Sequence, residues 1–109
     1  MTDHRPQMQT ESEDGRVVVR LSGEIDLSNV DDLEAEIGGA IAEAQNVVVD
    51  LTEIEFIDSR GLRLLKRVST AVARSDGTLL VVAPASSVAR SVLDMTGLSQ
   101  ELDVRDAVS

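Results

Sequence analysis

"NVVVDLTEIEFIDSRGL", Asn46 to Leu62, passes in one short stretch from a β-branched run, through a polar cluster, into a helix-forming segment. Val47, Val48 and Val49 with Leu51 form a continuous apolar run, the pattern of a strand buried on both faces, and predict a strand over 46–51. Downstream, Leu62, Leu65 and Val72 fall on one helical line and Leu64, Val68 and Ala71 on the line beside it. Two adjacent stripes predict a deeply packed helix. Between strand and helix stand Asp58, Ser59, Arg60 and Gly61, directly after Phe56 and Ile57, and Phe56 is the chain's one aromatic residue. The function turns on why that polar cluster follows that apolar pair.

Working outward, the same alternation recurs. An Asp14-Gly15 turn precedes Val17, Val18, Val19 and Leu21, which reads as a hairpin into a buried strand. Its partner, over 7–12, is polar and reads as an edge. Ser28 is the expected N-cap of the next helix, with Asp31 and Asp32 in the first turn, where the helix dipole favours negative charge. Val30, Leu33, Ile37, Ile41 and Ala44 make its apolar stripe. Gly38 and Gly39 weaken that helix by about 1 kcal/mol each relative to Ala, and close packing on the sheet is the expected compensation. Gly77 is expected to stop the central helix. "TLLVVA" gives another strand, Ser86 or Ser87 caps a helix carrying Val88, Val92, Leu93 and Met95, and Gly97 ends it. The tail "SQELDVRDAVS" holds a short strand and part of a last helix. Strands separated by helix-length segments imply right-handed crossovers and a largely parallel sheet of four to five strands.

The bulk numbers prune the function classes. A chain of 109 residues suits a single domain over 1–109, with a flexible polar tail at 1–6. The net charge of -10 opposes a phosphate backbone or an anionic membrane surface, so no nucleic acid and no direct membrane binding are expected. The longest apolar run, Leu79 to Ala83, is strand-sized rather than membrane-spanning. The opening residues lack the apolar stretch of a signal peptide and the chain has no cysteine, which fits the cytoplasm. No metal and no cofactor are expected, because the only histidine is His4, in the polar tail. Lys66 lies seven positions beyond Ser59, about 10 Å along a helix, too far to activate its hydroxyl. Asp31, Asp32, Glu34 and Glu36 read as a solvated helix face.

Asp58 and Ser59 fall where a connection ends and a helix begins, on the carboxyl-end rim of the parallel strands, where partners tend to dock. Read from residue chemistry alone, Asp or Ser caps the helix and Gly61 allows close approach of a neighbour. That reading leaves one group over. If Asp58 is the cap, the Ser59 hydroxyl is free, and a free hydroxyl there can accept a phosphate.

"FIDSRGL", preceded by "VVVDLTEIE", closely resembles the signature of the STAS domain, and the chain as a whole resembles bacterial anti-sigma factor antagonists. "VVVRLSGEIDLSNVDDLEAEI" resembles the family's second strand, its Gly-Glu-Ile-Asp turn and first helix, and "SVLDMTGL" its third helix. The resemblance implies an α/β fold with a mixed, largely parallel sheet and helices packed mainly on one side, and no catalytic activity. It makes Ser59 the residue phosphorylated by an anti-sigma factor serine/threonine kinase, with a separate phosphatase to reset it. Asp58 positions the hydroxyl or caps the helix, and Asp26 is the second acidic residue, expected near Ser59 on the same rim. Arg60 departs from the family, which usually has Ser or Thr there, and an arginine can pair with the phosphate or with an acidic kinase surface. The implied function is a partner switch: the unphosphorylated form sequesters the kinase and frees a sigma factor. The alternative is an unphosphorylated STAS scaffold, or the soluble subunit of a membrane transport complex.

Overall fold

A computed structural model describes residues 6–13, 15–26 and 28–107. Five strands run in chain order across one sheet: β1 (Gln7–Glu13), β2 (Arg16–Ile25), β3 (Asn46–Ile57), β4 (Thr78–Val82) and β5 (Val104–Arg105). The first pair is antiparallel and the other three are parallel. Helices α1 (Val30–Ile41) and α2 (Ser59–Arg74) follow β2 and β3. Helices α3 (Val88–Thr96) and α4 (Leu98–Glu101) lie between β4 and β5. The expected mixed, largely parallel sheet is therefore present with five strands, and β1 is an edge. Of the hairpin turn, Asp14 lies outside the described residues, while Glu13 pairs with Arg16 across it. Residues 1–5 of the expected tail, His4 among them, also lie outside.

One face of the sheet carries the main core. Val19, Leu21, Val47, Val49, Leu51 and Val81 meet buried side chains from all four helices, including Leu33 and Ile37 of α1 and Leu93 of α3. The alternating residues Val18, Val48 and Val82, with Leu80 against them, form a small second cluster made only of strand residues. Val48 is 2 % exposed, so the central strand is buried on both faces as its apolar run implied. All the helices pack on one side.

β3 is longer than the expected 46–51. Arg20 pairs with Asp50 but Ser22 with Glu53, and Gly23 pairs with Ile54 but Glu24 with Phe56, so β3 carries extra residues at two irregularities. The bulges change the inward period from two to three. Leu51, Ile54 and Ile57 are all buried, and the Asp50 carboxylate accepts the backbone N–H of Thr52 at 2.9 Å and its hydroxyl at 2.6 Å. No connection precedes Asp58: the strand passes into α2 through that single residue.

α2 is held by its buried face of Leu62, Leu64, Leu65, Val68 and Val72. Burial of each such side chain contributes up to about 1.5–3 kcal/mol, far more than any one exposed contact on the other face. Ala71, expected in the stripe, is exposed instead. The α2 terminus also differs from expectation. Asp76, at φ 59°, takes the left-handed position, with Asp76 N–H on Ala73 O and Gly77 N–H on Val72 O. That is a Schellman closure one residue before the glycine. Gly77 is needed for another reason, because a Cβ there would collide with the Gln45 backbone carbonyl.

Two further expectations shift. Ser28 does not cap α1: its N–H and hydroxyl both donate to Asp26 Oδ1, at 2.9 and 2.6 Å, and Asn29 takes the cap position. Gly38 and Gly39 do not serve close packing, since a Cβ at either meets nothing within 4 Å. In α3, Ser87 is the cap, accepting from Arg90 N–H, and Gly97 ends the helix. Ala89 and Leu93 are its buried residues, whereas Val88 and Met95 are exposed.

Candidate functional site

The rim at the carboxyl ends of β2 and β3 brings the cluster together. Ile25 pairs with Ile57, and Asp58 N–H donates to Ile25 O at 3.2 Å, so Asp26 and Asp58 leave adjacent parallel strands side by side. Asp58 is the N-cap of α2. Its Oδ1 accepts the N–H groups of Arg60 at 2.9 Å and Gly61 at 3.2 Å, which satisfies two of the free donors at the helix start. Ser59 is the first helical residue and is exposed. Its hydroxyl has no hydrogen-bond partner among the described residues. The cap is thus Asp58 alone, and Ser59 presents an uncommitted oxygen beside a helix N-terminus that favours added negative charge.

Gly61 explains how the helix starts so abruptly. A Cβ at Gly61 would lie 2.5 Å from Ile57 Cγ1 and 3.0 Å from Ile25 Cγ2, closer than side chains pack. Only glycine lets α2 sit down on the ends of β2 and β3. The paired apolar residues before the cluster have opposite fates: Ile57 is buried, while Phe56 is 45 % exposed beside the rim.

Asp26 is committed to its own loop. Besides the two bonds from Ser28, its carbonyl accepts from Asn29 N–H and Val30 N–H, and the Asn29 amide spans back to Asp26 N–H and Glu24 O. The carboxylate therefore shapes the β2–α1 turn, on the rim shared with Asp58. Arg60 is exposed and has no ion pair among the described residues.

Sequence reasoning missed what Ser59 opens onto. An open groove of about 640 Å³ follows α2 from Ser59, past Arg63, Lys66 and Arg67, to Arg74, with Glu34 of α1 on one side and Glu101 of α4 on the other. The signal was available in the composition of α2, which holds five cations and no acidic residue. The walls come from distant segments and could not be read locally. Among the described residues no group of His, Cys, Asp and Glu is placed to hold a metal ion, and no helix is long and apolar enough to cross a membrane.

The STAS domain profile matches residues 7–109. The anti-sigma-F factor antagonist RsfB of Mycobacterium tuberculosis is 33 % identical over 87 residues, covering 79 % of this chain and 70 % of RsfB. The crystal structure of an anti-sigma factor antagonist from Mycobacterium paratuberculosis superposes with a TM-score of 0.81 at 28 % identity, over 98 % of this chain and 91 % of that one. The anti-sigma factor antagonist SpoIIAA has been solved in its unphosphorylated form, and the Bacillus cell fate determinant SpoIIAA in its phosphorylated form. The unphosphorylated form has a TM-score of 0.75 at 26 % identity over 94 % of this chain and 90 % of its own. The phosphorylated form has a TM-score of 0.71 at 25 % identity over 94 % and 93 %. With a matching profile over nearly its whole length, this chain belongs to the STAS domain family.

Proposed function

We propose that this protein is an anti-sigma factor antagonist, a regulatory binding protein rather than an enzyme, switched by phosphorylation of Ser59. The observation that carries the reading is the division of labour at the start of α2: Asp58 makes both capping bonds and leaves the Ser59 hydroxyl exposed and uncommitted. The relatives named as anti-sigma factor antagonists, and the phosphorylated form of SpoIIAA, support it. In this reading the unphosphorylated protein binds an anti-sigma factor serine/threonine kinase in the cytoplasm and frees its sigma factor. Phosphorylation releases the kinase and a phosphatase resets the switch.

The charge arithmetic favours release over unfolding. Phosphoserine adds about -1.5 to -2 charges, which a helix N-terminus tolerates with a gain of about 0.3–1 kcal/mol. Inside an interface the same dianion faces a desolvation cost of several kcal/mol unless newly paired, and each 1.4 kcal/mol is tenfold in affinity. Phe56, exposed three residues before Ser59, supplies an apolar anchor of the kind that dominates interface energy. Asp26 takes part through its charge. Asp26→Asn keeps an acceptor for Ser28, so the fold should hold while phosphorylation by the cognate kinase slows; an unchanged rate would remove Asp26 from the site.

Intact-mass measurement on protein isolated from its own cells, with fragmentation to locate the group, tests the switch. A fraction carrying one phosphate on Ser59 is expected. Phosphate on another residue would remove Ser59 as the switch, and none under any growth condition would favour the unphosphorylated scaffold.

A further inference from the structure

Arg60, Arg63, Lys66, Arg67 and Arg74 place five of the chain's 10 Lys and Arg residues on one helix without a single acidic residue, in a molecule of net charge -10. Local physics does not favour this arrangement. Arg60 and Arg63 sit in the first turns, where the helix dipole opposes cations, and Arg63 and Arg67 repel at i,i+4 spacing. Arg67 reaches Glu34 at 2.9 Å and Lys66 reaches Glu101 at 3.7 Å, both exposed pairs of small worth. Arg60 and Arg63 have no ion pair among the described residues; Arg74 has none either, but it sits in the last turn, where the helix dipole favours a cation. A local conflict without a compensating contact inside the fold points to a compensating contact outside it.

We infer that the groove along α2 is a docking surface for an acidic segment of a partner protein. Charge complementarity selects the occupant: four cations line the groove against two carboxylates, while the molecule as a whole is strongly anionic. From Ser59 to Arg74 the helix runs about 22 Å, the reach of a short peptide segment. A nucleic acid or an anionic bilayer spreads its charge well beyond that strip and meets the repulsion of the remaining surface. An acidic segment confines its charge to the groove.

The inference deepens the proposed switch and rests on it for two points, that the partner is the kinase and that Ser59 carries the phosphate. Ser59 and Arg63 line the same groove at i,i+4 spacing, so a phosphate on Ser59 stands one turn from Arg63. There it competes with the partner's carboxylates for the same guanidinium, as well as adding charge. Phosphorylation fills the mouth of the groove from within.

A fluorescein-labelled oligo-glutamate peptide, followed by anisotropy at low and physiological salt, tests the surface with full-length unphosphorylated protein. Salt-sensitive binding is expected, with Arg63→Glu weakening it about tenfold and Arg105→Glu, a charge-matched change outside the groove, leaving it nearly intact. Arg63 makes no ion pair within the described fold and repels Arg67, so Arg63→Glu should stay folded with a Tm at or slightly above the parent's, which a thermal melt verifies. The inference is overturned by absence of peptide binding, by equal losses in the two variants, or by tighter binding of single-stranded DNA or of phosphatidylserine vesicles than of the peptide. Peptide binding involves neither kinase nor phosphate, so failure of the Ser59 switch would leave this result standing.

Discussion

Replacing Asp58 and Ser59 separately by alanine should have unequal consequences. Asp58 Oδ1 accepts two backbone N–H groups, from Arg60 and Gly61. Loss of a cap of this type costs about 1–2 kcal/mol, the upper part applying where, as here, one oxygen serves two donors and carries charge at the positive end of the dipole. For a domain of this size that corresponds to a fall in Tm of about 4–12 °C. Ser59 makes no side-chain hydrogen bond among the described residues, and alanine is the better helix former by a few tenths of a kcal/mol. Ser59→Ala should therefore leave stability within about 0.5 kcal/mol of the parent. Urea unfolding at neutral pH, with the slope held common, measures both changes. If Ser59→Ala cost as much as Asp58→Ala, Ser59 would be sharing the cap, and its hydroxyl would not be the free acceptor that the switch requires.

The glycines should separate in the same assay. Gly38→Ala and Gly39→Ala, with open space around the added methyl, should each stabilise by up to about 1 kcal/mol, whereas Gly61→Ala, whose Cβ would press on Ile57 and Ile25, should destabilise by about 1–2 kcal/mol net. A stable Gly61→Ala protein would mean that the α2 start has room to lift off the strands. Asp94 is a pH marker. Its hydrogen bond from Ser99, then the Arg90 side chain, hold its carboxyl below the ordinary value. A depressed folded pKa means that its contribution is present above the unfolded carboxylate value of about 4 and is lost as pH falls through the folded value. NMR titration should find Asp94 ionising below a peptide reference and returning toward it in Ser99→Ala; no difference between the two proteins would remove the hydrogen bond as the cause.

The central strand, both helix stripes around it and the polar cluster were legible because each rests on local chemistry: β-branched runs, helical spacing and an Asp at a helix start. The second half of β3 was not. Its bulges put Leu51, Ile54 and Ile57 inward at every third residue, a period that belongs to neither a regular strand nor an amphipathic helix read in so short a stretch. Ser28 failed as a cap because its N–H and hydroxyl both donate to Asp26 Oδ1, which holds it on the β2–α1 turn and leaves Asn29 at the cap position, an arrangement that the order of residues does not rank. Met95 and Val88 completed an apolar helical pattern yet stay exposed, since α3 meets the sheet through Ala89 and Leu93. At the site, Asp58, Ser59 and Gly61 could be read along the chain. The cationic groove needed α1 and α4 beside α2, and that proximity exists only in three dimensions.

The switch itself is tested most directly by titrating wild type, Ser59→Ala, Ser59→Glu and enzymatically phosphorylated protein against the anti-sigma factor kinase captured on the unphosphorylated form, with melts confirming that all are folded. Wild type and Ser59→Ala should bind alike, and Ser59→Glu should bind more weakly, having less charge and fewer acceptor oxygens than phosphoserine. The phosphorylated protein should be weaker than wild type by about tenfold or more. Equal affinity of all four folded forms would contradict the assignment of Ser59 as the switch.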